Sequence, residues 1–353
     1  MKLYIQPEDG NAHLLKAIDG ARKTIEIMIF RFDEKKIEAA LVSAVKRGVL
    51  VNALIAFTNR GGEKRLRGLE MRLLAAGATV SRTNDDLTRY HGKYMIVDRK
   101  KLFVLAFNFT RSDIEQSRSF GVMTTNTKLV QEAAKLFLAD SNRQPYTAGT
   151  HGFVVSPVNA RERLAELLKS AKKSLLIYDL EVSDKMMLDI LKEKVAAGVP
   201  VRVIGNVKPN TPAISVRFSN PLRLHVRGIV CDGSRVFLGS QSLRHFELDM
   251  RREVGLIAKD ATLAARVTKV FEQDWESGKS SGVPVEKVAG KVAKAITKSM
   301  AAVGPVLDQL QAKSGKKLDI DRKELQQTVN EAVKTAVRDA VHEAVTEGAA
   351  SKD

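Results

Sequence analysis

The chain has 353 residues, 44% of them hydrophobic, and a net charge of +17. That length accommodates two domains and a sizeable core, and the charge favours polyanionic partners: nucleic acid, anionic lipid headgroups or phosphorylated substrates. A single cysteine, Cys231, excludes an intramolecular disulfide and argues against a cysteine-based zinc site.

The opening residues, Met1 to Glu8, lack the apolar core of a signal peptide. No run of 18 apolar residues follows, so no membrane-spanning helix is expected. The expected location is cytoplasmic, with contact to an anionic membrane only at its periphery. After a short first strand, Asn11 to Ala21 carries the apolar spacing of a helix through Ala12, Leu15 and Ile18. Thr24 to Phe32 alternates as a strand, with Ile25, Ile27 and Ile29 on one face. Lys35 to Arg47 reads as a helix stopped by Gly48, and Val49 to Phe57 as the next strand. Gly62 to Ala76 is a further helix ended by Gly77, and Ala78 to Arg82 a short strand. Tyr94 to Val97 is an apolar run of β-branched and aromatic type, and Leu102 to Phe107 another strand.

The pattern then restarts. Residue n matches residue n + 150 from Pro7 and Pro157 to Gly48 and Gly198; beyond Ile55 and Gly205 the offset falls to 134 and holds to Asp140 and Asp274. The second copy lacks the Gly62 to Ala76 helix and has a Pro- and Asn-rich loop over 207–221 instead. An internal duplication of alternating strands and helices argues α/β architecture. The expected divisions are a first repeat over 1–148, a second over 149–278, and a linker with a helical tail over 279–353. Two tail helices are expected, over 285–313 and 321–347. From 283 onward twelve Lys and Arg face ten Asp and Glu, so +15 of the charge lies in the duplicated body.

Within the repeats, His91 and Lys93 stand two residues apart at the mouth of the Tyr94 run, and Asp98 follows. His225, Arg227 and Asp232 reproduce the spacing 134 residues later. Side chains two apart on a strand share a face, so each imidazole projects with a cation. The other four histidines have no echo between the copies, and packing or surface roles suffice for them. Cleaving a phosphodiester requires a nucleophile, an acid for the leaving oxygen and positive charge for the phosphoryl oxygens. Two imidazoles with Lys93 and Arg227 supply all three. No carboxylate cluster, His-Glu-x-x-His pattern or Walker loop is present, so neither metal nor cofactor is expected. Asp98 and Asp232 sit at strand ends, where tying a turn is as good an account as chemistry; Asp232-Gly233 is itself a hairpin signal. Glu253, 28 residues after His225, is expected to hold the second nitrogen of that imidazole. Its counterpart is Ser119, leaving Asp113 or Glu115 as candidates beside His91. Cys231, inside a predicted strand, reads as a buried, inert thiol.

The paired motifs resemble the phospholipase D superfamily, marked by a duplicated His-x-Lys-x4-Asp followed by Gly-Ser-x-Asn. His91, Lys93, Asp98 and Asn108 match the first copy, with Leu105-Ala106 in place of Gly-Ser. His225, Asp232, Gly239 and Ser240 match the second, with Arg227 for Lys and Ser242 for Asn. The resemblance covers about residues 1–277. It implies two pseudo-symmetric repeats, each a mixed sheet flanked by helices, around one site. It also implies a catalytic set of His91, Lys93, Asp98, His225, Arg227 and Asp232, with Asn108, Ser240, Ser242 and Glu253 as phosphate-binding or supporting groups. His91 would form a phosphohistidine while His225 protonates the leaving oxygen. The expected activity is hydrolysis or transfer of the phosphatidyl group of glycerophospholipids. A nuclease acting on nucleic acid, and a catalytically degenerate polyanion-binding protein, are the alternatives. Headgroup, acceptor and oligomeric state are not legible.

Overall fold

A computed structural model describes residues 1–57, 63–209, 211, 213–218 and 222–280. The expected tail helices lie outside the described residues. In chain order the first half comprises β1 (Lys2–Gln6), α1 (Ala12–Asp19), β2 (Thr24–Ile29), α2 (Lys35–Lys46), β3 (Leu50–Ile55), α3 (Glu63–Ala75), β4 (Thr79–Arg82), β5 (Arg89–Tyr90), β6 (Tyr94–Val97), β7 (Lys101–Leu105), α4 (Arg111–Glu115), β8 (Ser117–Thr124) and α5 (Thr127–Ser141). The second comprises β9 (Phe153–Val155), α6 (Ala160–Lys169), β10 (Leu175–Val182), α7 (Lys185–Ala196), β11 (Val201–Val207), β12 (Ser215–Phe218), β13 (Arg223–Leu224), β14 (Arg227–Cys231), β15 (Arg235–Gly239), α8 (His245–Asp249), β16 (Arg251–Arg252), β17 (Val254–Lys259), α9 (Ala261–Ser277) and β18 (Lys279–Ser280).

The first sheet runs β1-β8-β7-β6-β2-β3-β4; the second runs β9-β17-β15-β14-β10-β11-β12-β18. Apart from β18 the orders are the same, element for element. Both sheets are mixed: β2 pairs β3 in parallel and β6 antiparallel, as β10 pairs β11 and β14. No helix stands between β11 and β12 among the described residues, where the first half has α3.

Alternation along each strand divides the core into three. Ile25, Ile27 and Ile29 face an outer cluster with α1 and α2, whereas Met28 and Phe30 face a central one. A second outer cluster packs α6 and α7 on the other sheet. The central cluster is shared: Tyr94, Phe120 and Phe137 from the first half meet Phe153, Tyr178 and Phe271 from the second, with side chains of α5 and α9 among them. Each such aromatic contributes roughly 1.5–3 kcal/mol on burial.

Two pairs of short strands cross between the halves. β13 pairs with the start of β8, and β5 pairs with β16, both in parallel. Two ion pairs cross at the same places: Arg118 Nε with Asp274 at 2.8 Å and Arg252 Nη2 with Asp140 at 3.1 Å. The 134-residue offset carries each pair onto the other.

Candidate active site

β5 leads directly into His91, and β13 into His225. The crossing strands hold both: the His91 N–H donates to the Arg252 carbonyl at 2.7 Å, and the His225 N–H to the Arg118 carbonyl at 2.9 Å. Because the chain passes from Arg252 to Glu253, the Glu253 carboxylate arrives at His91, not at His225. His91 Nδ1 lies 2.9 Å from both Glu253 oxygens. His225 faces Asp113 instead, with Nδ1 3.4 Å from Oδ2. The expected Glu253–His225 pairing and the assignment of Asp113 to the His91 side are thus both corrected. Each imidazole takes its carboxylate from the opposite half, because the crossing strands exchange these segments. Ser119, the counterpart of Glu253, donates its hydroxyl to the His225 carbonyl at 2.9 Å.

His91 and Lys93 do share a face. Lys93 Nζ lies 2.9 Å from both nitrogens of the His91 ring and 5.4 Å from the centre of the Phe30 ring. Phe30 also meets the His91 ring edge-on at 4.4 Å. In the second half, Arg227 Nε donates to Ser242 Oγ at 3.2 Å. Asn108 donates through its N–H (2.8 Å) and Nδ2 (2.6 Å) to Asp113, which Arg223 also contacts. Ser240 Oγ accepts from the Val254 N–H at 3.2 Å and hydrogen-bonds Glu253. His91, Lys93, Asn108, Arg227, Ser240, Ser242 and Glu253 are all buried.

Asp98 and Asp232 are elsewhere. Seven residues at strand rise separate each from its histidine, on the order of 20 Å. Asp98 accepts the backbone N–H groups of Arg22, Lys23 and Thr24; Asp232 accepts those of Lys172, Lys173 and Ser174. Both have positive φ, 53° and 55°, at the head of the three-residue turns β6–β7 and β14–β15. Their place in the catalytic set is corrected to a structural one: they staple the α1–β2 and α6–β10 turns to these hairpins.

Burial first, then the Lys93, Arg251, Arg227 and Arg89 charges, hold His91 well below the usual imidazole range. Burial also lowers His225, but there Asp113 opposes it. Burial brings Lys93 down to about 7, against the pull of Glu253. Burial alone would raise the Asp113 carboxyl; the His225 charge whenever that ring is protonated, the Arg223 charge and the Asn108 hydrogen bonds outweigh it and hold the group below the usual carboxylate range. In the free protein both imidazoles are therefore neutral at pH 7. Arg227 Nη1 and Asn108 Oδ1 are buried with no hydrogen-bond partner among the described residues. Such groups are costly to leave bare, and a bound anion's oxygens would satisfy the arginine.

Residues that sequence reasoning overlooked include Arg118, Arg252 and Asp179. The arginine echo at the 134-residue offset was present in the sequence; Asp179 has no echo, since Ile29 is its counterpart.

Two halves with the same strand order, each contributing one imidazole to a shared cluster of charged groups, define a duplicated phospholipase D-like protein. A family model described as cardiolipin synthase, phospholipase D-like domain, matches residues 14–141 and again 164–275. The chain belongs to the phospholipase D superfamily. It is similar to the mitochondrial cardiolipin hydrolase of Mus musculus, 28% identical over 136 residues, which is 38% of this chain and 58% of that protein. The Danio rerio mitochondrial cardiolipin hydrolase is 27% identical over 128 residues, 36% and 55% of the two chains. The match thus spans little more than half of these relatives. Among solved structures, the polyphosphate kinase of Porphyromonas gingivalis aligns over 77% of this chain and 46% of its own, with TM-score 0.65 and 19% identity. The phosphatidylserine synthase of Haemophilus influenzae Rd KW20 aligns over 85% and 94%, with TM-score 0.63 and 12% identity. At these identities the two structures show the fold alone.

Proposed function

We propose that the chain is a phosphodiesterase of the phospholipase D type that hydrolyses or transfers the phosphatidyl group of glycerophospholipids. The carrying observation is the asymmetric support of two neutral imidazoles. His91 donates Nδ1–H to Glu253, which leaves Nε2 with a lone pair. Burial first, then the Lys93, Arg251, Arg227 and Arg89 charges, keep it unprotonated, as a nucleophile must be. His225 faces the ionised Asp113, which favours its protonated form once an anionic substrate enters. Lys93 and Arg227 bind the phosphoryl oxygens. His91 Nε2 attacks phosphorus, His225 protonates the departing alkoxide, and a phosphohistidine forms. Neutral His225 then takes a proton from water or an alcohol as that oxygen displaces His91.

The cardiolipin hydrolase relatives and the family description support a lipid substrate. The +15 charge of the body favours nucleic acid equally well, and this is the second reading. A cytoplasmic site of action with peripheral membrane contact accompanies the first. The test offers purified protein mixed glycerophospholipids and single-stranded DNA in parallel, with and without EDTA. Release of headgroup in EDTA, with a 32P-labelled protein trapped from labelled lipid, is the expected result. Cleavage of DNA alone selects the second reading. Complete loss in EDTA restored by magnesium removes the mechanism, and inactivity on every diester leaves a polyanion-binding protein.

A further inference from the structure

We propose that Asp179, acting through Ser242, is a positioning residue that sets the Arg227 guanidinium so that Nη1 meets a phosphoryl oxygen. The inference rests on the phosphodiesterase reading and deepens it.

The two halves depart from one another at four positions that converge. Where the first half has Ile29, Ile55, Lys93 and Asn108, the second has Asp179, Gly205, Arg227 and Ser242. In the first half the β2–β3 pairing runs in register from Thr24 opposite Leu50 to Ile29 opposite Ile55, where β2 ends. In the second the pairing is likewise in register to Asp179 opposite Gly205, but β10 runs on and pairs again at Val182 opposite Val207 after a register shift. Such irregularities recur beside functional sites. Gly205 is required at the last in-register pair. Its φ is +139°, and a Cβ there would lie 1.5 Å from the Asp179 carbonyl oxygen.

The Asp179 carboxylate is buried. It accepts the Leu243 N–H at 2.6 Å and the Glu181 N–H at 3.0 Å, and hydrogen-bonds the Ser242 hydroxyl. That hydroxyl in turn accepts Arg227 Nε at 3.2 Å. One edge of the guanidinium is therefore tied through Ser242 to a fixed carboxylate. Nη1 is buried with no partner among the described residues, on a side chain only 4% exposed. A lysine is a point charge that needs no such fixing; an arginine fork recognises phosphate only when its plane is set. Lys93 accordingly has Ile29 in the place of Asp179. The Arg-for-Lys and Ser-for-Asn departures thus form one compensated unit together with Asp179 and Gly205.

The experiment uses the full chain and four variants: Asp179→Ile, Arg227→Lys, the two combined, and Ser242→Ala. Orthovanadate affinity is measured by calorimetry, kcat and KM with bis(p-nitrophenyl) phosphate, and folding by circular-dichroism melting. Asp179→Ile, Arg227→Lys and Ser242→Ala should each weaken vanadate binding at least tenfold, with the loss in kcat/KM falling mainly on KM. The combined variant recreates the Ile29–Lys93 pairing of the first half and should return to within about threefold of wild type. Wild-type affinity in Asp179→Ile, or losses that multiply in the combined variant, would overturn the inference. Should Asp179→Ile not fold, Ser242→Ala decides, since it leaves both backbone bonds of Asp179 intact; unchanged vanadate affinity there is equally fatal. Wild type that binds vanadate but cleaves no diester removes the phosphodiesterase reading alone, and the binding series still decides this one. Wild type that does not bind vanadate removes both.

Discussion

Lys93 and Arg227 occupy equivalent places, yet pH reaches only one of them near neutrality. Burial brings the Lys93 ammonium down to about 7; Glu253 and Asp113 oppose that, while Arg227 and Arg251 reinforce it. Burial lowers Arg227 too, from a starting point so high that it stays charged. Lys93 carries its charge below about pH 7 and loses it above. The phosphoryl pocket therefore loses one of its two cations as pH rises, and kcat/KM for a soluble diester should decline through that range. Lys93→Arg should lose about tenfold in activity from altered donor geometry but show no decline between pH 7 and 9. A basic limb that survives in Lys93→Arg would assign it to another group. The histidines differ in a second way. An acid is needed only for a poor leaving group, so with a p-nitrophenyl diester His225→Ala should largely recover the first release of p-nitrophenolate, read as a burst with phosphate held on His91, while His91→Ala stays inactive. Rescue of His91→Ala instead would exchange the two roles. Both histidines were legible from their echo alone. Their carboxylates were not, because Glu253 is near His225 along the chain but near His91 in space.

At the scale of elements, the hairpins β6–β7 and β14–β15 show how a motif residue can be structural. Burial tends to raise Asp98, but the N–H groups of Lys23, Thr24 and Arg22 outweigh it and hold its carboxyl below the usual range; Asp232 behaves likewise with Lys173, Ser174 and Lys172. A carboxyl depressed by folding contributes stability above its unfolded range, and that contribution is lost as pH falls through its folded value. Asp98→Asn should cost about 1–3 kcal/mol, or roughly 2–4 °C in Tm for each kcal/mol. It should leave kcat/KM for a diester within twofold, and the Tm difference from wild type should shrink as pH is lowered toward 3. A hundredfold loss of activity in a variant with wild-type Tm would return Asp98 to the chemistry. The first-half elements up to β7, apart from β5, followed from alternation and helical spacing: β2, α2 and β4 begin at the expected Thr24 and Lys35 or within one residue of the expected Ala78. No expectation covered β8 or α5. The two-residue strands β5, β13 and β16 did not follow from either signal. They are too short for periodicity, and only partners from the other half define them.

For the molecule as a whole, the site has no complete half. His91 depends on Glu253 and His225 on Asp113, and the central cluster draws aromatics from both repeats. Fragments 1–148 and 149–282 should each be inactive on a diester and aggregation-prone, since each exposes its share of that cluster. Refolded together, they should recover at least a tenth of the activity of the protein truncated after residue 282. That truncation should itself match the full chain, because all the residues assigned to the site lie between 91 and 253. Activity in either fragment alone would show that one half suffices. The sequence by itself determined the duplication, the α/β class, the first-half strands up to β7 apart from β5, and the pair of imidazoles with their cations. These are local or repeated signals, carried by periodicity and by offsets of 150 and 134 residues. Only the tertiary structure decided which carboxylate serves which histidine, that Asp98 and Asp232 staple turns, and that Asp179 reaches Arg227 through Ser242. The first outcome depends on strands crossing between halves, pairings more than 100 residues apart. The second depends on contacts within each half, Asp98 to Arg22 being 76 residues apart and Asp232 to Lys172 being 60, and the third on the close approach that Gly205 permits at Asp179. None leaves a periodic trace in the chain.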